Sequence, residues 1–313
     1  MADSLYTQIS RYSQPILILL GTTGAVMNLI LFFSRKILRP TSCSLYFRAL
    51  SINDLLVLYI VVFPLWYTSQ FNRDPTKDSN WFCKLKTYLN NSCYTLSPYL
   101  IVLACFDRLC TSSTDARLRR IATIRCAAFL VLGMTCAVFL AYFHIPIWYQ
   151  LIYSPITMSS SCSISSASYT KFTSMFLLVV LCIIPPMLMI VFCVITLILL
   201  RQRRHRIMPV NQRRLRQRDN QLLKMLFIYV LSHIICTVPF SVSYVVLVYS
   251  QPRFTSLMIV SFQLSILLLN ANFATSFYIY TLCTPFYRQE FFNLFRSSRN
   301  RQIHPSTHVL SVD

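Results

Sequence analysis

The chain reads as an all-α membrane protein, a seven-transmembrane helix bundle followed by a short amphipathic eighth helix. Three observations predict that class. Of 313 residues, 55% are hydrophobic and only 12% are charged, whereas a soluble domain carries about 25% charged residues. Seven stretches are long and apolar enough to cross a bilayer, which takes about 20 mainly apolar residues. The basic residues fall in alternate gaps between those stretches. Arg35–Arg48, Arg108–Arg125, Arg201–Lys224 and Arg288–Arg301 together hold 22 of the 29 lysines and arginines, as the positive-inside rule expects of cytoplasmic loops. The net charge of +20 therefore faces the lipid bilayer and the cytosol. It does not indicate a nucleic-acid partner, because basic surfaces interleaved with aromatics are absent. With only three glycines, turn-rich β folds are disfavoured.

The elements follow in order. Residues 1–14 form an extracellular tail, too short for a ligand-binding ectodomain. The opening "MADSLYTQISRYSQP" lacks the basic segment of a cleavable signal peptide. The helix bundle spans 15–283. Its first helix covers about 15–37, with Pro15–Phe33 uncharged throughout, and the second covers about 45–67 and holds Asp54. The third spans about 84–110, the fourth 121–148, the fifth 172–200, the sixth 220–249 and the seventh 256–283. Seven spans with the basic gaps inside put the N-terminus outside and the C-terminus in the cytoplasm of a multi-pass plasma-membrane protein. In 285–296, "PFYRQEFFNLFR" sets Phe286, Phe291, Phe292 and Phe295 opposite Arg288 and Glu290, the pattern of a helix lying on the inner membrane surface. Residues 297–313 are polar and read as a disordered cytoplasmic tail. The third inner loop, "RQRRHRIMPVNQRRLRQRD", suits anionic lipid, at about 1 kcal/mol per basic residue near the surface. It equally suits an acidic cytosolic partner, and the sequence leaves both open.

Charged groups inside a bilayer cost several kcal/mol unless they face an interior cavity. Asp54 is the acid deepest within a span. Asn28, Ser97, Asn270, Asn272 and Ser276 accompany it from the first, third and seventh helices. If these helices pack together, their oxygens suit a sodium ion beside Asp54, or a proton on it. A polar knot that only joins helices, at about 0.6 kcal/mol per bond, is the competing reading. No other cofactor is indicated. The third helix ends in "CFDRLC", where Asp107 and Arg108 stand side by side. Arg108 can pair with Asp219 at the inner start of the sixth helix while Asp107 orients the guanidinium, a latch released when that helix swings out. Of twelve cysteines, most sit in apolar runs as small buried hydrophobes. Cys83 and Cys162 lie in loops on the less basic, oxidising side and are expected to pair, with Cys93 the alternative partner.

Several short segments stand in a telling order. They are "GAVMNLILFF" around Asn28, "ALSINDLLV" around Asp54, "WFCKL" with Trp81 and Cys83, and "FDRLC", with Arg108 25 residues after Cys83. "CTVP" with Cys236 and Pro239 follows, then "NANFATSFYIYTL" with Asn272 and Tyr280. Together they resemble the rhodopsin-like (class A) G-protein-coupled receptors over nearly the whole chain, about Pro15 to Phe295. The resemblance implies that Asp54, Ser97 and Asn272 belong to a sodium site. It implies that Arg108 with Tyr280 faces a heterotrimeric G protein, and that Asn28, Pro186 (or Pro185) and Pro239 shape helix packing. There are departures. Thr237 replaces the switch Trp and Leu109 the Tyr after Arg108. Ser276 and Phe277 replace Asn-Pro, which removes a kink. Val194 or Cys193 stands where a Tyr waits for the released Arg. His233 replaces a Phe, and Pro98 an Ile.

The resemblance also bounds the ligand. Amine receptors carry an Asp where this chain has Asn90, and retinal receptors a Lys where it has Asn270. A peptide or a small uncharged odorant-like molecule remains, and the polar second outer loop suits a peptide lid. Asn90, Tyr94, Tyr244 and Asn270 are the expected pocket residues, with Tyr88, Asn91 and Tyr249 at the rim. The expected function is a receptor for an extracellular neuropeptide that activates a G protein by outward movement of the sixth helix. An ion-coupled transporter using Asp54 is the alternative from another class, but no inverted repeat or broken helix pair supports it. No metal cluster, nucleophile–base pair or phosphate loop supports an enzyme.

Overall fold

The computed structural model describes residues 2–34, 41–71, 73–154, 159–203, 210–249, 256–285, 287–289 and 291–293. Seven helical stretches are long and apolar enough to span a membrane: Gln8–Phe33, Ser42–Phe71, Asn80–Ser112, Ile124–Trp148, Ala167–Gln202, Leu223–Leu247 and Leu257–Leu282. The first packs on the second and on the seventh, the second on the third, the third on the fourth and fifth, and the sixth on the seventh. The third is the most buried of the seven, and the fourth and fifth are the most peripheral. Leu100, Ile101, Val102, Ala104 and Cys105, which follow one another round more than a full turn of the third span, are all buried. A helix apolar on every side belongs in the middle of a bundle.

The ring closes where the first span meets the seventh, and glycine makes that possible. A Cβ on Gly21 would stand 3.2 Å from the Ala274 Cα, and one on Gly24 would stand 3.0 Å from the Phe277 Cβ. Small residues let membrane helices approach at backbone distance.

Two spans widen into π turns, at Leu58–Val62 and Leu178–Ile183. Each lies just ahead of proline, Pro64 in the second span and Pro185–Pro186 in the fifth. A proline ring offers no N–H and collides with the carbonyl four residues back, and a wider turn relieves both faults.

The structure departs from the sequence expectation at several boundaries. The first helix runs Ala2–Ser34, so most of the segment expected to be a free tail continues the helix outward. Ser10 and Gln14 are buried, and the Arg11 guanidinium donates to the Ser69 and Gln70 carbonyls at 3.4 Å. Those carbonyls end the second span and would otherwise lack helical partners. The sixth helix starts at Val210 rather than at 220. Ala116–Ile121 forms a short helix in the second inner loop, capped by Asp115, whose carboxylate accepts the Arg117 N–H at 2.9 Å.

The second outer loop is a hairpin, β1 Tyr149–Ser154 paired antiparallel with β2 Ser159–Ile164 so that Leu151 faces Cys162. The Leu151 N–H donates to the Asn80 side-chain oxygen at 3.0 Å, which anchors β1 to the outer end of the third span. Of the expected eighth helix, 285, 287–289 and 291–293 have helical backbone. Phe286, Glu290, Phe295 and the tail 297–313 lie outside the described residues. Tyr287, between the expected lipid-facing phenylalanines, is fully buried.

Candidate functional site

Three sites line up along the inner faces of the spans. At the outer end lies a cavity of about 380 Å³ lined by residues of the second, third, fifth, sixth and seventh spans. Its size falls in the range of ligand pockets, about 300–1,000 Å³. Lys86, Asn90, Asn91 and Tyr94 face it from successive turns of the third span, with Leu181, Phe240 and Leu269 opposite. The disulfide between Cys83 and Cys162 holds the hairpin against the same helix, and Cys162 itself borders the cavity.

The structure sorts the expected pocket residues. Asn90 and Tyr94 line the cavity. Asn270 does not, being fully buried beneath it, where its side-chain oxygen accepts a hydrogen bond from the Tyr94 hydroxyl. Tyr244 is half-buried and stacks on Phe240 with ring centroids 5.7 Å apart, so it supports the wall from behind. Tyr88 turns away and donates to the Phe139 carbonyl of the fourth span at 3.0 Å. The side chain of Tyr249 lies outside the described residues.

A polar layer crosses the bundle below the cavity. Asp54 is fully buried, and the Ser97 hydroxyl donates to its Oδ1 at 3.2 Å. Asn53 completes that corner, giving its amide N–H groups to Ser97 Oγ at 2.7 Å and to the Cys93 carbonyl at 2.8 Å. The third span stays α-helical through that level, although Pro98 withholds the N–H that would reach the Tyr94 carbonyl. Ser276 interacts with Asp54 from the seventh span and also accepts from the Asn28 amide at 3.5 Å. Asn28 in turn takes a hydrogen bond from the Tyr287 hydroxyl. One buried asparagine thus ties the first span to the seventh and to the segment beyond it.

Asn272 does not turn its amide N–H to Asp54. It donates to His233 Nδ1 at 3.0 Å, and His233 Nε2 lies 3.4 Å from the Thr237 hydroxyl. The residues standing at the family's Phe and Trp positions therefore form a polar chain from the seventh span to the sixth. Pro239 follows two residues after Thr237 within the same sixth helix. On the fifth span Pro186 is half-buried and Pro185 buried, both just past the π turn.

The oxygens left over bear on whether the layer suits a cation. Asp54 Oδ2, Asn53 Oδ1 and Asn272 Oδ1 are buried without hydrogen-bond partners among the described residues. Hard oxygen donors including a carboxylate fit sodium, and an unpartnered buried carboxylate oxygen needs a compensating charge.

At the inner end, Arg108 Nη2 donates to Asp107 Oδ2 at 3.0 Å, with the two side chains only 6% and 2% exposed. The neighbouring cleft between the third, fifth and sixth spans is only about 10 Å³, bordered by Cys105, Cys193, Thr196 and Leu226. The Cys105 and Cys193 sulfurs are 3.9 Å apart across it. Tyr280 is buried with its ring edge-on to Phe47 at 5.2 Å and to Tyr229 at 5.5 Å. The Tyr280 and Tyr229 hydroxyls find no partner among the described residues. Asp219 lies on the sixth helix, and its side chain is outside the described residues.

Asn53, His233 and Lys86 are residues that the sequence did not mark as belonging to a site. Asn53 had a visible signal, an amide within a span beside the one deep acid. His233 stood out only as an unusual residue at its position.

Residues 24–283 match the family described as 7 transmembrane receptor (rhodopsin family). Among curated proteins, none matches the chain.

Proposed function

Because the chain belongs to the rhodopsin family of seven-transmembrane receptors, we propose that it takes a peptide into the outer cavity and answers by opening its inner end. The family's shared activity comes with membership. The protein is a multi-pass plasma-membrane receptor, not an enzyme, that binds an extracellular ligand and signals through a G protein.

The observation that carries the finer reading is the contrast between the two ends of the third span. Its outer turns face an open cavity, while its inner turn buries an ion pair in a closed cleft. A buried guanidinium paired with the adjacent carboxylate can take a second arrangement, and a ligand that favours that arrangement shifts the balance toward it. In the resting state Asp107 orients Arg108, and an acid at the foot of the sixth helix, Asp219, would hold it there. Outward movement of the sixth helix frees Arg108 and opens the cleft to the G protein. Tyr280, packed between Phe47 and Tyr229, is placed to follow that movement.

The N-terminus lies outside and the basic inner loops face the cytosol and its anionic lipid. Asp54, Ser97, Ser276 and the Asn272 oxygen would hold a sodium ion in the polar layer. Bound there, sodium would neutralise Asp54 and join the second, third and seventh spans. The apolar wall of Leu181, Phe240 and Leu269 beside the amides of Asn90 and Asn91 favours a peptide, which presents both kinds of surface.

The test is Asp219→Asn in cells, with signalling read by calcium and cyclic nucleotide at matched surface expression. Ligand-independent signalling is expected to rise several-fold, since a latch worth 1–2 kcal/mol shifts a two-state equilibrium by about five- to thirty-fold. Basal signalling equal to wild type would remove the latch from the mechanism.

A further inference from the structure

The outer cavity holds a charge that the mechanism above leaves unused. Among the described residues that line it, Lys86 is the one that carries a charge. Its side chain is 19% exposed, and its ammonium stands 3.9 Å from Asp74 Oδ1, too far for a hydrogen bond. That carboxylate oxygen is already engaged, accepting the Thr76 N–H at 3.0 Å and the Thr76 hydroxyl at 2.7 Å. The ammonium is therefore largely out of water with a counter-charge at a distance, and its donors point to no hydrogen-bond acceptor in the described residues.

One turn deeper on the same face, four residues along, Asn90 also lines the cavity. Its Oδ1 is buried and has no hydrogen-bond partner among the described residues. The polar groups around it are occupied. The Asn91 amide donates to the Thr87 carbonyl at 2.8 Å, Thr87 Oγ1 donates to the Cys83 carbonyl at 2.8 Å, and Tyr94 is tied to Asn270. The cavity thus leaves the Lys86 ammonium without a hydrogen-bonded anion and Asn90 Oδ1 without an N–H donor among the described residues. Leu181, Phe240 and Ile266 add an apolar surface. Leaving either polar group unpaired beneath a ligand would cost the full desolvation of that group.

We infer that this cavity receives the free C-terminal residue of a peptide, its carboxylate on the Lys86 ammonium, its backbone N–H on Asn90 Oδ1 and its apolar side chain among Leu181, Phe240 and Ile266. A single C-terminal residue carries an anion, an N–H donor and a side chain on adjoining atoms, which is the set the wall requires. A C-terminal amide would offer the ammonium only a neutral carbonyl oxygen in place of a charged acceptor, and a cationic amine would meet a like charge. The inference rests on the outer cavity being the ligand site.

The experiment uses the purified full chain and one matched probe pair, N-acetyl-Leu-Phe with a free carboxylate and the same dipeptide as its C-terminal amide. Binding is measured directly by calorimetry. The acid is expected to bind about tenfold tighter than the amide, the scale of a hydrogen bond to a charged group. Lys86→Gln should bring that ratio close to one through the acid alone, Lys86→Arg should keep it, and Asp74→Asn should strengthen acid binding by removing the rival carboxylate. Equal binding of acid and amide to the wild-type chain, binding of neither, or a ratio that survives Lys86→Gln overturns the inference. The wild-type ratio is measured without any variant, so the inference can still be refuted if the Lys86→Gln chain fails to fold. No G protein enters the measurement. A chain that binds the acid but does not drive nucleotide exchange refutes the signalling mechanism and spares this subsite, and the reverse result does the opposite.

Discussion

Asp54 shows how much one side chain can organise. It is fully buried, takes a hydrogen bond from Ser97, is met by Ser276 from the seventh span, and keeps Oδ2 without a hydrogen-bond partner among the described residues. Replacing it with asparagine keeps the shape and removes the charge that would draw a cation. In Asp54→Asn receptors, agonist affinity should no longer depend on sodium, whereas wild-type affinity should shift when sodium is exchanged for a large organic cation. A sodium response that persists in the variant would remove the ion from this layer. Asp54, Ser97 and Ser276 were legible because polar groups in an apolar run are costly and few. Where the Asn272 amide points was not legible. Its choice of His233 over Asp54 depends on how the sixth and seventh spans rotate against each other, and no local pattern in either span encodes that rotation. Lys86 escaped notice for a related reason: near a membrane edge a lysine reads as a headgroup anchor until the cavity beside it is seen.

The contacts between helices rest on a few small residues. Gly24 meets the seventh span where a Cβ would come within 3.0 Å of the Phe277 Cβ. Gly24→Val should therefore push the first span away from the seventh and lower stability by about 1–3 kcal/mol, the usual cost of overpacking. The same change at Gly133, whose Cβ would meet nothing within 4 Å, is the control. Thermal unfolding of the two purified variants checks this, and equal midpoints would show that the approach is not tight. Hydropathy alone was enough to locate the seven spans, because lipid forces every backbone group to be satisfied within its own helix. The outer hairpin was invisible to hydropathy. Its second strand is "SSSCSI", with little apolar alternation, and it is held by the disulfide and by Asn80 rather than by its own composition. The outward extension of the first helix was hidden likewise. It is settled by Arg11 reaching the end of the second span, a partner 58 residues away.

Across the whole molecule, the outer face is fastened covalently and the inner face electrostatically. The Cys83–Cys162 bridge closes a loop of 79 residues, and losing such a bridge costs about 2–5 kcal/mol. Cys83→Ser should reduce the surface population strongly, as measured by antibody labelling of intact cells, while total synthesis stays unchanged. Normal trafficking with intact ligand binding would show the bridge to be dispensable. The widened turns in the second and fifth spans also govern how any atlas of this receptor is indexed. Each inserts about one residue into the local winding, close to 100° of azimuth. A wheel diagram carried through Leu58–Val62 or Leu178–Ile183 then rotates the second half by more than a quarter turn and puts part of each face on the wrong side. Scanning substitutions along either span have to be numbered from two origins, one for each half, if their phenotypes are to fall on the correct side of the cylinder.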